Sequence, residues 1–300
     1  MKSKKKKIIL SIVGVCVVLI GAYVVNLAIA AQNALKTMQQ PIEKSDKREE
    51  EISLEKKDPF SLALLGVDET ETNLGRTDTI IVATVNPEKN TIKMLSIPRD
   101  TRTEIVGNDT VEKINHAYTR GGTQMSIATI ENFLDVPIDY YVQINLEGFR
   151  DMIDAFGGVT VANDMDLTFK KYHFPEGNLR LTGEEALVFS RIRYEDPRGD
   201  FGRQLRQRQI IEAILGEGTK MSSVMKYDDV LRSLGANVKT NISVKEMINL
   251  QKQYSGIEKN IEQYQFEEFS GGYIGKYWYF FPDEEEVAKY SAMLREHLEI

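Results

Sequence analysis

The hydrophobic positions divide the chain into three parts: an unbroken apolar block near the N-terminus, a short polar segment, and a long region of alternating runs. The block at 8–31 contains no Asp, Glu, Lys, Arg or His. As a helix it would span roughly 36 Å at about 1.5 Å per residue, more than a hydrocarbon core of about 30 Å. The pattern therefore predicts one transmembrane helix over residues 8–31.

The charges beside this block predict its orientation. Five lysines lie within residues 1–7, and the positive-inside rule leaves such a tail in the cytoplasm. Ala28-Ile29-Ala30 also fits a signal-peptide cleavage site, although the apolar run exceeds the roughly 7–15 residues of a signal core. We favour an uncleaved anchor, so the chain is predicted to be a single-pass type II protein of the cell membrane with its folded part outside the cell.

Residues 32–57 are polar and dense in charge, and they predict an extracellular stalk or linker. The alternative, that this segment is the first solvated helix of the domain, stays open at this point. The remaining residues, 58–300, predict one extracellular domain.

Within residues 58–300, runs typical of strands alternate with runs typical of helices. Strands are predicted at 60–67, 79–85, 91–97, 140–146, 159–162, 261–269 and 277–281. Helices are predicted at 124–134, 147–156, 203–215 and 284–298, and a further one follows Thr182. Thr182 and Glu185 have the spacing of a capping box. This interleaving predicts an α/β fold with a mixed sheet.

Composition narrows the possible functions. The sequence has 38 Lys and Arg against 45 Asp and Glu, a net charge of −7, which argues against a nucleic-acid partner because such binding needs a basic surface. One Cys and three His argue strongly against a structural zinc site and against a disulfide framework. The sequence carries neither a Walker loop nor a Gly-x-Ser-x-Gly elbow.

Two acidic residues flank the first two predicted strands. Asp68 directly follows the first, and Asp78 directly precedes the second. Carboxylates at a sheet edge suit Mg²⁺, which takes one or two of them together with phosphate oxygens. The alternative is that both are turn residues that bond local backbone amides.

Arginine is concentrated near one predicted helix. Six arginines and no lysine lie within 18 positions, at Arg191, Arg193, Arg198, Arg203, Arg206 and Arg208. The planar guanidinium binds phosphate through two parallel hydrogen bonds, and a helix N-terminus also attracts anions. We infer a phosphorylated ligand, a diphosphate in particular; the alternative is an exposed basic helix.

Seven short motifs in this order resemble the LytR-CpsA-Psr family of cell-wall glycopolymer ligases, over roughly 59–215. They are Leu65-Gly66-Val67-Asp68, Arg76-Thr77-Asp78-Thr79, Ser96-Ile97-Pro98-Arg99-Asp100-Thr101, Lys113-Ile114-Asn115-His116-Ala117-Tyr118, Gly157-Gly158-Val159, Ala186-Leu187-Val188-Phe189-Ser190-Arg191-Ile192-Arg193 and Asp200-Phe201-Gly202-Arg203-Gln204-Leu205-Arg206-Gln207. Arg208 departs from the pattern, since an uncharged polar residue such as Gln is common there.

The resemblance implies an α/β/α sandwich with a central mixed sheet and a Mg²⁺-dependent phosphotransferase activity. Such an enzyme moves a glycopolymer from a polyprenyl pyrophosphate carrier to peptidoglycan and forms a phosphodiester. The resemblance places the metal at Asp68 and Asp78 and gives the catalytic set as Asp68, Asp78, Arg99, Arg191 and Arg193. It assigns pyrophosphate binding to Arg76, Arg99, Arg191, Arg193, Arg203, Arg206 and Gln207.

Two other functions remain open from the sequence. A phosphohydrolase acting on a lipid-linked pyrophosphate would use the same residues with water as the acceptor. A non-catalytic envelope protein that binds glycan is the second. Transcriptional control is disfavoured, because the predicted cytoplasmic tail of about seven residues is too short for a DNA-reading module.

Overall fold

The computed structural model describes residues 37–69, 75–218, 235, 237–254 and 256–300. The predicted cytoplasmic tail and the predicted transmembrane helix therefore lie outside the described residues. Across the described ranges, no helix combines the length and the apolar character needed to span a membrane.

The centre of the fold is a six-stranded sheet. Its strands are β1 (Phe60–Val67), β2 (Thr77–Asn86), β3 (Thr91–Ser96), β6 (Tyr140–Asn145), β11 (Val238–Thr240) and β12 (Ile261–Gln265). Their order across the sheet is β11-β6-β1-β2-β3-β12. β1, β2 and β3 pair antiparallel, β6 pairs parallel with β1, and β12 pairs parallel with β3. The sheet is mixed, as the sequence predicts.

Both faces of this sheet are covered, which explains why residues 80–83 of β2 are continuously apolar. Ile80 and Val82 face one core, and Ile81, Ala83 and Val85 face the other. A strand that is buried on both sides does not need polar residues in alternation. The helices are α1 (His116–Leu134), α2 (Leu146–Ala155), α3 (Gly183–Phe189), α4 (Asp200–Gly218), α5 (Val244–Gln253) and α6 (Glu284–Leu298).

Each core recruits its own helices. The first core takes Ile127 and Ile130 from α1 and Leu294 from α6. The second takes residues of α5 together with Leu54 of a short 3₁₀ turn, Leu54–Lys56. The sheet therefore forms the middle layer of three.

A smaller third core lies to the side of the sheet and carries the arginine-rich region. It combines α2, α3 and α4 with short strands, and Ile153, Val161, Phe189 and Ile210 are buried within it. Its strands are β7 (Val159–Asn163), β8 (Leu167–Phe169), β9 (Tyr172–Phe174) and β10 (Gly177–Leu181). Two further hairpins complete the described fold: β4 (Arg102–Ile105) with β5 (Thr110–Lys113), and β13 (Phe269–Ile274) with β14 (Tyr277–Pro282).

The predicted stalk is described from residue 37 onward, and this part lies against the domain. The backbone N–H of Gln40 donates to the Thr240 carbonyl at 2.8 Å. Arg48 pairs with Asp139 at 3.0 Å, with both side chains largely buried. Residues 37–57 therefore form part of the folded unit.

Several elements differ from the sequence prediction at their ends. The helix predicted at 124–134 begins at His116, and Gly121 and Gly122 interrupt its regular conformation. The strand predicted at 261–269 is two strands, β12 and β13, separated by the buried Phe266. The helix at 284–298 and the Thr182–Glu185 capping box are confirmed.

Candidate functional site

Asp78 lies in a β-bulge at the point where β1 ends and β2 begins. Gly66 pairs with Thr79 and Val67 pairs with Thr77, which leaves Asp78 as the extra residue of β2. A bulge of this kind re-aims a side chain at the end of a sheet. Here the Asp78 Oδ1 accepts a hydrogen bond from Nη1 of Arg99 at 2.5 Å.

Arg99 lies just beyond β3, after Pro98, and three carboxylates surround it. Burial lowers the pKa of Arg99, but the charges of Asp78, Asp100 and Asp200 outweigh burial and hold its pKa above the ordinary value. The guanidinium is therefore a fixed positive charge whose orientation Asp78 determines.

Asp200, the first residue of α4, pairs with two more arginines near Arg99: Arg203 in the first turn of α4 and Arg193, which precedes the helix. Nη2 of Arg203 lies 2.7 Å from Asp200 Oδ1, and Nε of Arg193 lies 3.5 Å from the same oxygen. Burial lowers the pKa of Arg203, as do the positive charges of Arg99 and Arg193, while Asp200 and Asp78 oppose this effect. We call Arg99, Arg193 and Arg203 the cation cluster.

Two donors of this cluster lack acceptors. Nε of Arg99 and Nε of Arg203 are buried and have no hydrogen-bond partner in the described part of the chain. A buried donor without an acceptor costs about 1–3 kcal/mol, so such groups are uncommon without a reason. The oxygens of a bound anion would supply both acceptors.

Asp68 and Arg76 are joined by one backbone hydrogen bond and one bond to the Asp68 side chain, between the end of β1 and the start of β2. Its N–H donates to the carbonyl of Arg76 at 3.1 Å, and its Oδ1 accepts from the N–H of Arg76. Gly75 has a φ of 70°, and a Cβ there would collide with Asp68. Asp68 thus bonds a local amide while it lies at the same end of the β1–β2 pair as Asp78.

These two carboxylates have the chemistry of a partial magnesium site. Within the described ranges, no group of three or more His, Cys, Asp or Glu side chains is placed to hold a metal ion. Mg²⁺ usually binds one or two carboxylates and completes its shell with water and substrate phosphates. Asp68 and Asp78 fit that pattern only if a phosphorylated substrate contributes ligands.

Arg206 occupies a different position from the cation cluster. It is 1% exposed, and its guanidinium donates to Asp196 Oδ2 at 2.5 Å and to the carbonyls of Phe189 at 3.1 Å and Ile192 at 2.6 Å. These bonds hold the segment that carries Arg191 and Arg193. In this structure Arg206 therefore joins α4 to the preceding segment through Phe189, Ile192 and Asp196.

Asp196 accepts hydrogen bonds from both Arg206 and Arg198. Although burial opposes it, hydrogen bonds from Arg198 and Arg206 lower the pKa of Asp196 to about 2. Arg198 also pairs with Asp164 at 2.5 Å. A Cβ on Gly202 would collide with the Asp196 carboxylate, so glycine is required where α4 passes it.

The structure does not bring every predicted site residue into the cation cluster. The side chains of Arg76 and Arg191 are exposed, and that of Gln207 is half-buried. Arg208 is buried on another side of α4, where it donates to Ser96 Oγ at 2.7 Å and to Gln263 and Gln265 at 3.0 Å. Burial lowers the pKa of Arg208 to about 10.

Sequence reasoning missed three acidic residues of this region. Asp100 and Asp200 lie inside the quoted motifs, so their adjacency to Arg99 and Arg203 was a usable signal. Asp196 had the neighbouring Arg198 as a local signal, but its second partner, Arg206, is ten residues further along the chain and only the fold joins them.

Comparison with known proteins places the chain in a family. The LytR_cpsA_psr family model matches residues 25–296. The chain belongs to the LytR-CpsA-Psr family. It is 45% identical, over 99% of its length and 98% of the relative, to the polyisoprenyl-teichoic acid–peptidoglycan teichoic acid transferase TagU of Bacillus subtilis.

Solved structures of family members share the mixed α/β fold. The crystal structure of B. subtilis TagU has a TM-score of 0.68 and 44% identity, and it covers 81% of this chain and 98% of that chain. The structure of TagT bound to LIIa-WTA has a TM-score of 0.72 and 30% identity, and it covers 86% of this chain and 97% of that chain.

Proposed function

We propose that this family member is a Mg²⁺-dependent phosphotransferase that moves a glycopolymer from a polyprenyl pyrophosphate carrier to peptidoglycan. The names of its transferase relatives support this assignment. The observation that carries it is the pair of buried, unpartnered Nε groups of Arg99 and Arg203 beside Asp78. Guanidinium groups bind phosphate oxygens, and a pyrophosphate offers such oxygens to both arginines.

The reaction makes and breaks one phosphorus–oxygen bond. The hydroxyl oxygen of a wall sugar attacks the phosphorus that carries the glycan, and the bond to the bridging oxygen breaks. The bridging oxygen leaves with polyprenyl monophosphate, and the hydroxyl proton passes to a base. Phosphoryl transfer of this kind needs positioning and charge stabilisation more than covalent catalysis.

The arginines of the cation cluster supply that stabilisation. Arg99 and Arg203 would hold oxygens of the two phosphoryl groups, because both are fixed in place by carboxylates. Preorganised donors of this kind stabilise developing charge without reorganising during the reaction. Arg193 would add a third positive charge, since Asp200 also holds it.

The outlying residues have proposed roles of their own. The exposed Arg76 and Arg191 and the half-buried Gln207 would contact the pyrophosphate when the substrate is bound. Arg206 would act as a positioning residue through Asp196 and the carbonyls of Phe189 and Ile192. Asp68 and Asp78 would hold Mg²⁺, which supplies additional positive charge to the diphosphate.

The location of the donor supports the predicted anchor. A lipid-linked substrate is confined to a membrane, so an enzyme with residues 8–31 as a transmembrane helix would meet it in two dimensions. We therefore retain the type II topology, with residues 1–7 in the cytoplasm and the catalytic domain in the extracellular part.

A reconstituted reaction tests this function. The full-length protein is incubated with Mg²⁺, a polyprenyl pyrophosphate-linked glycan and a peptidoglycan oligomer, and the products are followed by mass spectrometry. A glycan-phosphate-peptidoglycan adduct that disappears with EDTA and in Arg203→Gln is the expected result. Arg295→Gln, a half-buried arginine on α6 that bonds Asp135, is the matched control and should leave the adduct unchanged.

The other possible outcomes identify the alternatives. Free glycan phosphate without an adduct would indicate a phosphohydrolase that uses water as the acceptor. Binding of the glycan without turnover of the donor would indicate a non-catalytic envelope protein.

A further inference from the structure

A small cavity lies beside the cation cluster, and it combines aromatic walls with a polar rim. Its volume is about 190 Å³, roughly the volume that six water molecules occupy in liquid water. Phe201, Phe269, Trp278 and Phe280 supply aromatic surface, and Arg193, Asp200 and Gln204 are among the polar residues that line it.

The aromatic walls are held rigidly. The rings of Phe269 and Phe280 are stacked with centroids 4.7 Å apart, and Phe201 lies 5.2 Å from Phe269. The indole of Trp278 lies against Gly271, where a Cβ would approach its Cζ2 to 2.6 Å. A side chain on Gly271 would therefore displace the wall.

The hairpin that carries three of these rings is tied to the site. The N–H of Phe280 donates to the carbonyl of Asp100 at 2.9 Å, next to Arg99. Arg193 belongs to both the cavity and the cation cluster, and Asp200, which pairs with Arg193 and Arg203, also lines the cavity. A ligand in the cavity would thus be adjacent to a ligand on the arginines.

One polar group in the cavity lacks a partner. Gln204 is 4% exposed, and its Nε2 donates to Asp200 Oδ2 at 3.0 Å. Its Oε1 is buried and accepts no hydrogen bond in the described part of the chain. The ligand class that satisfies this oxygen must carry a hydrogen-bond donor.

We propose that this cavity is a subsite for a single sugar ring, in which aromatic faces contact the ring and Gln204 Oε1 accepts from a sugar hydroxyl or amide. The inference rests on the proposed function, because it makes the sugar a neighbour of the bound pyrophosphate. A prenyl chain is the competing occupant. It has no hydrogen-bond donor for Gln204 and would leave the polar side chains at the rim without hydrogen-bond partners.

The single tryptophan of the sequence provides a direct readout. Trp278 is the only tryptophan, so intrinsic fluorescence of the full-length protein reports on this cavity. Three probes are titrated: UDP-N-acetylglucosamine as a sugar pyrophosphate, a β-1,4-linked N-acetylglucosamine tetrasaccharide, and geranyl pyrophosphate. A saturable change with either sugar probe is expected.

A matched pair of variants isolates the hydrogen bond. Gln204→Leu also removes the bond from Nε2 to Asp200, an effect shared by every pyrophosphate probe; beyond any loss of geranyl pyrophosphate affinity, it should weaken binding of the sugar probe about three- to tenfold, the effect of one hydrogen bond. Gln209→Leu is the control, since Gln209 lies on the same helix, has a buried unpartnered Oε1 and does not line the cavity. Gln204→Met serves as a second test if the leucine variant does not fold.

The outcomes separate the subsite from the proposed function. A response to the sugar pyrophosphate alone assigns the donor sugar, and a response to the tetrasaccharide assigns the acceptor; both support the subsite. A tryptophan response to geranyl pyrophosphate alone, or sugar affinity unchanged in Gln204→Leu, would overturn it. Sugar binding that depends on Gln204 without any transfer to peptidoglycan would refute the proposed function and leave the subsite standing.

Discussion

Asp78 and Arg99 lie opposite each other in the continued register of β2 and β3. Ile81 pairs with Ser96, and the N–H of Ile97 donates to the carbonyl of Ile80 at 2.9 Å. Continuing the same register past the end of the ladder brings Asp78 to Arg99, and their side chains meet at 2.5 Å. The ion pair therefore extends the sheet pairing into the site.

This relationship predicts the effect of removing either side chain. Asp78→Ala should leave the fold intact and reduce transfer by at least about a hundredfold, because Arg99 loses the group that orients it for charge stabilisation. Arg99→Ala should have a similar effect. Donor turnover and thermal unfolding of both variants measure the two properties; full activity in either would contradict the assignment.

Arg203 and Arg206 should differ in which property they control. Arg206→Met leaves Asp196 with Arg198 alone and removes the donor from the buried carbonyls of Phe189 and Ile192, so we expect the free energy of unfolding to fall by about 1–3 kcal/mol. Arg203→Met should instead lower kcat/KM for the lipid-linked donor, because its unpartnered Nε is the group proposed to hold a phosphoryl oxygen during transfer. Urea unfolding and donor kcat/KM are measured on both variants; equal loss of stability in the two would argue against the distinction.

The stability of the protein should fall on mild acidification because of one buried histidine. His297 is 1% exposed, and its two ring nitrogens lie 2.7 and 2.8 Å from the hydroxyls of Thr84 and Thr91. Burial, reinforced by the charges of Lys93 and Lys89, lowers its pKa to about 4. In the pH range between the ordinary histidine pKa of about 6.5 and about 4, this side chain is protonated in the unfolded chain but neutral in the folded protein.

Acid therefore favours the unfolded chain in this interval, and stability should decrease by up to about 3 kcal/mol as the pH falls through it. Urea unfolding at about pH 7.5 and about pH 5 measures the change. His297→Gln should lose most of this pH dependence. His173→Gln, an exposed histidine, is the control and should keep it.

Removing divalent metal should stop transfer if Asp68 and Asp78 hold Mg²⁺. EDTA should abolish the adduct, and added Mg²⁺ should restore it. Asp68→Asn should raise the Mg²⁺ concentration needed for half-maximal rate, because one of two carboxylate ligands becomes neutral. An unchanged rate in EDTA would exclude the metal requirement.

Elements with a strong local signal could be predicted from the sequence. The helix at 284–298 has an aspartate cap at Asp283 and acidic residues in its first turn, and both signals are local. The short hairpins β4–β5 and β8–β9 escaped prediction, because they have four and three residues in each strand and too little pattern to detect. Tertiary packing rather than propensity determines such short strands.

The site was only partly predictable for a similar reason. Helical spacing placed Arg203, Arg206 and Gln207 on one face of α4. The fold separates their surroundings, because Asp196 pairs with Arg206 while Asp200 pairs with Arg203. The placement of Asp78 depends on a bulge whose register involves β1, and no local pattern in β2 encodes that pairing.

The strand order has a consequence for how the chain acquires its structure. Both edge strands of the central sheet, β11 (Val238–Thr240) and β12 (Ile261–Gln265), come from the last quarter of the sequence. β12 pairs in parallel with β3, across about 170 residues of chain, and such non-local pairing slows folding. Until synthesis passes Thr240, β6 is an edge without its partner β11, and until it passes Gln265, β3 is an edge without its partner β12; another chain can add to such an edge. A truncated or stalled chain should therefore aggregate. The pairing of β12 with β3 is then the folding step that protects the nascent protein from aggregation.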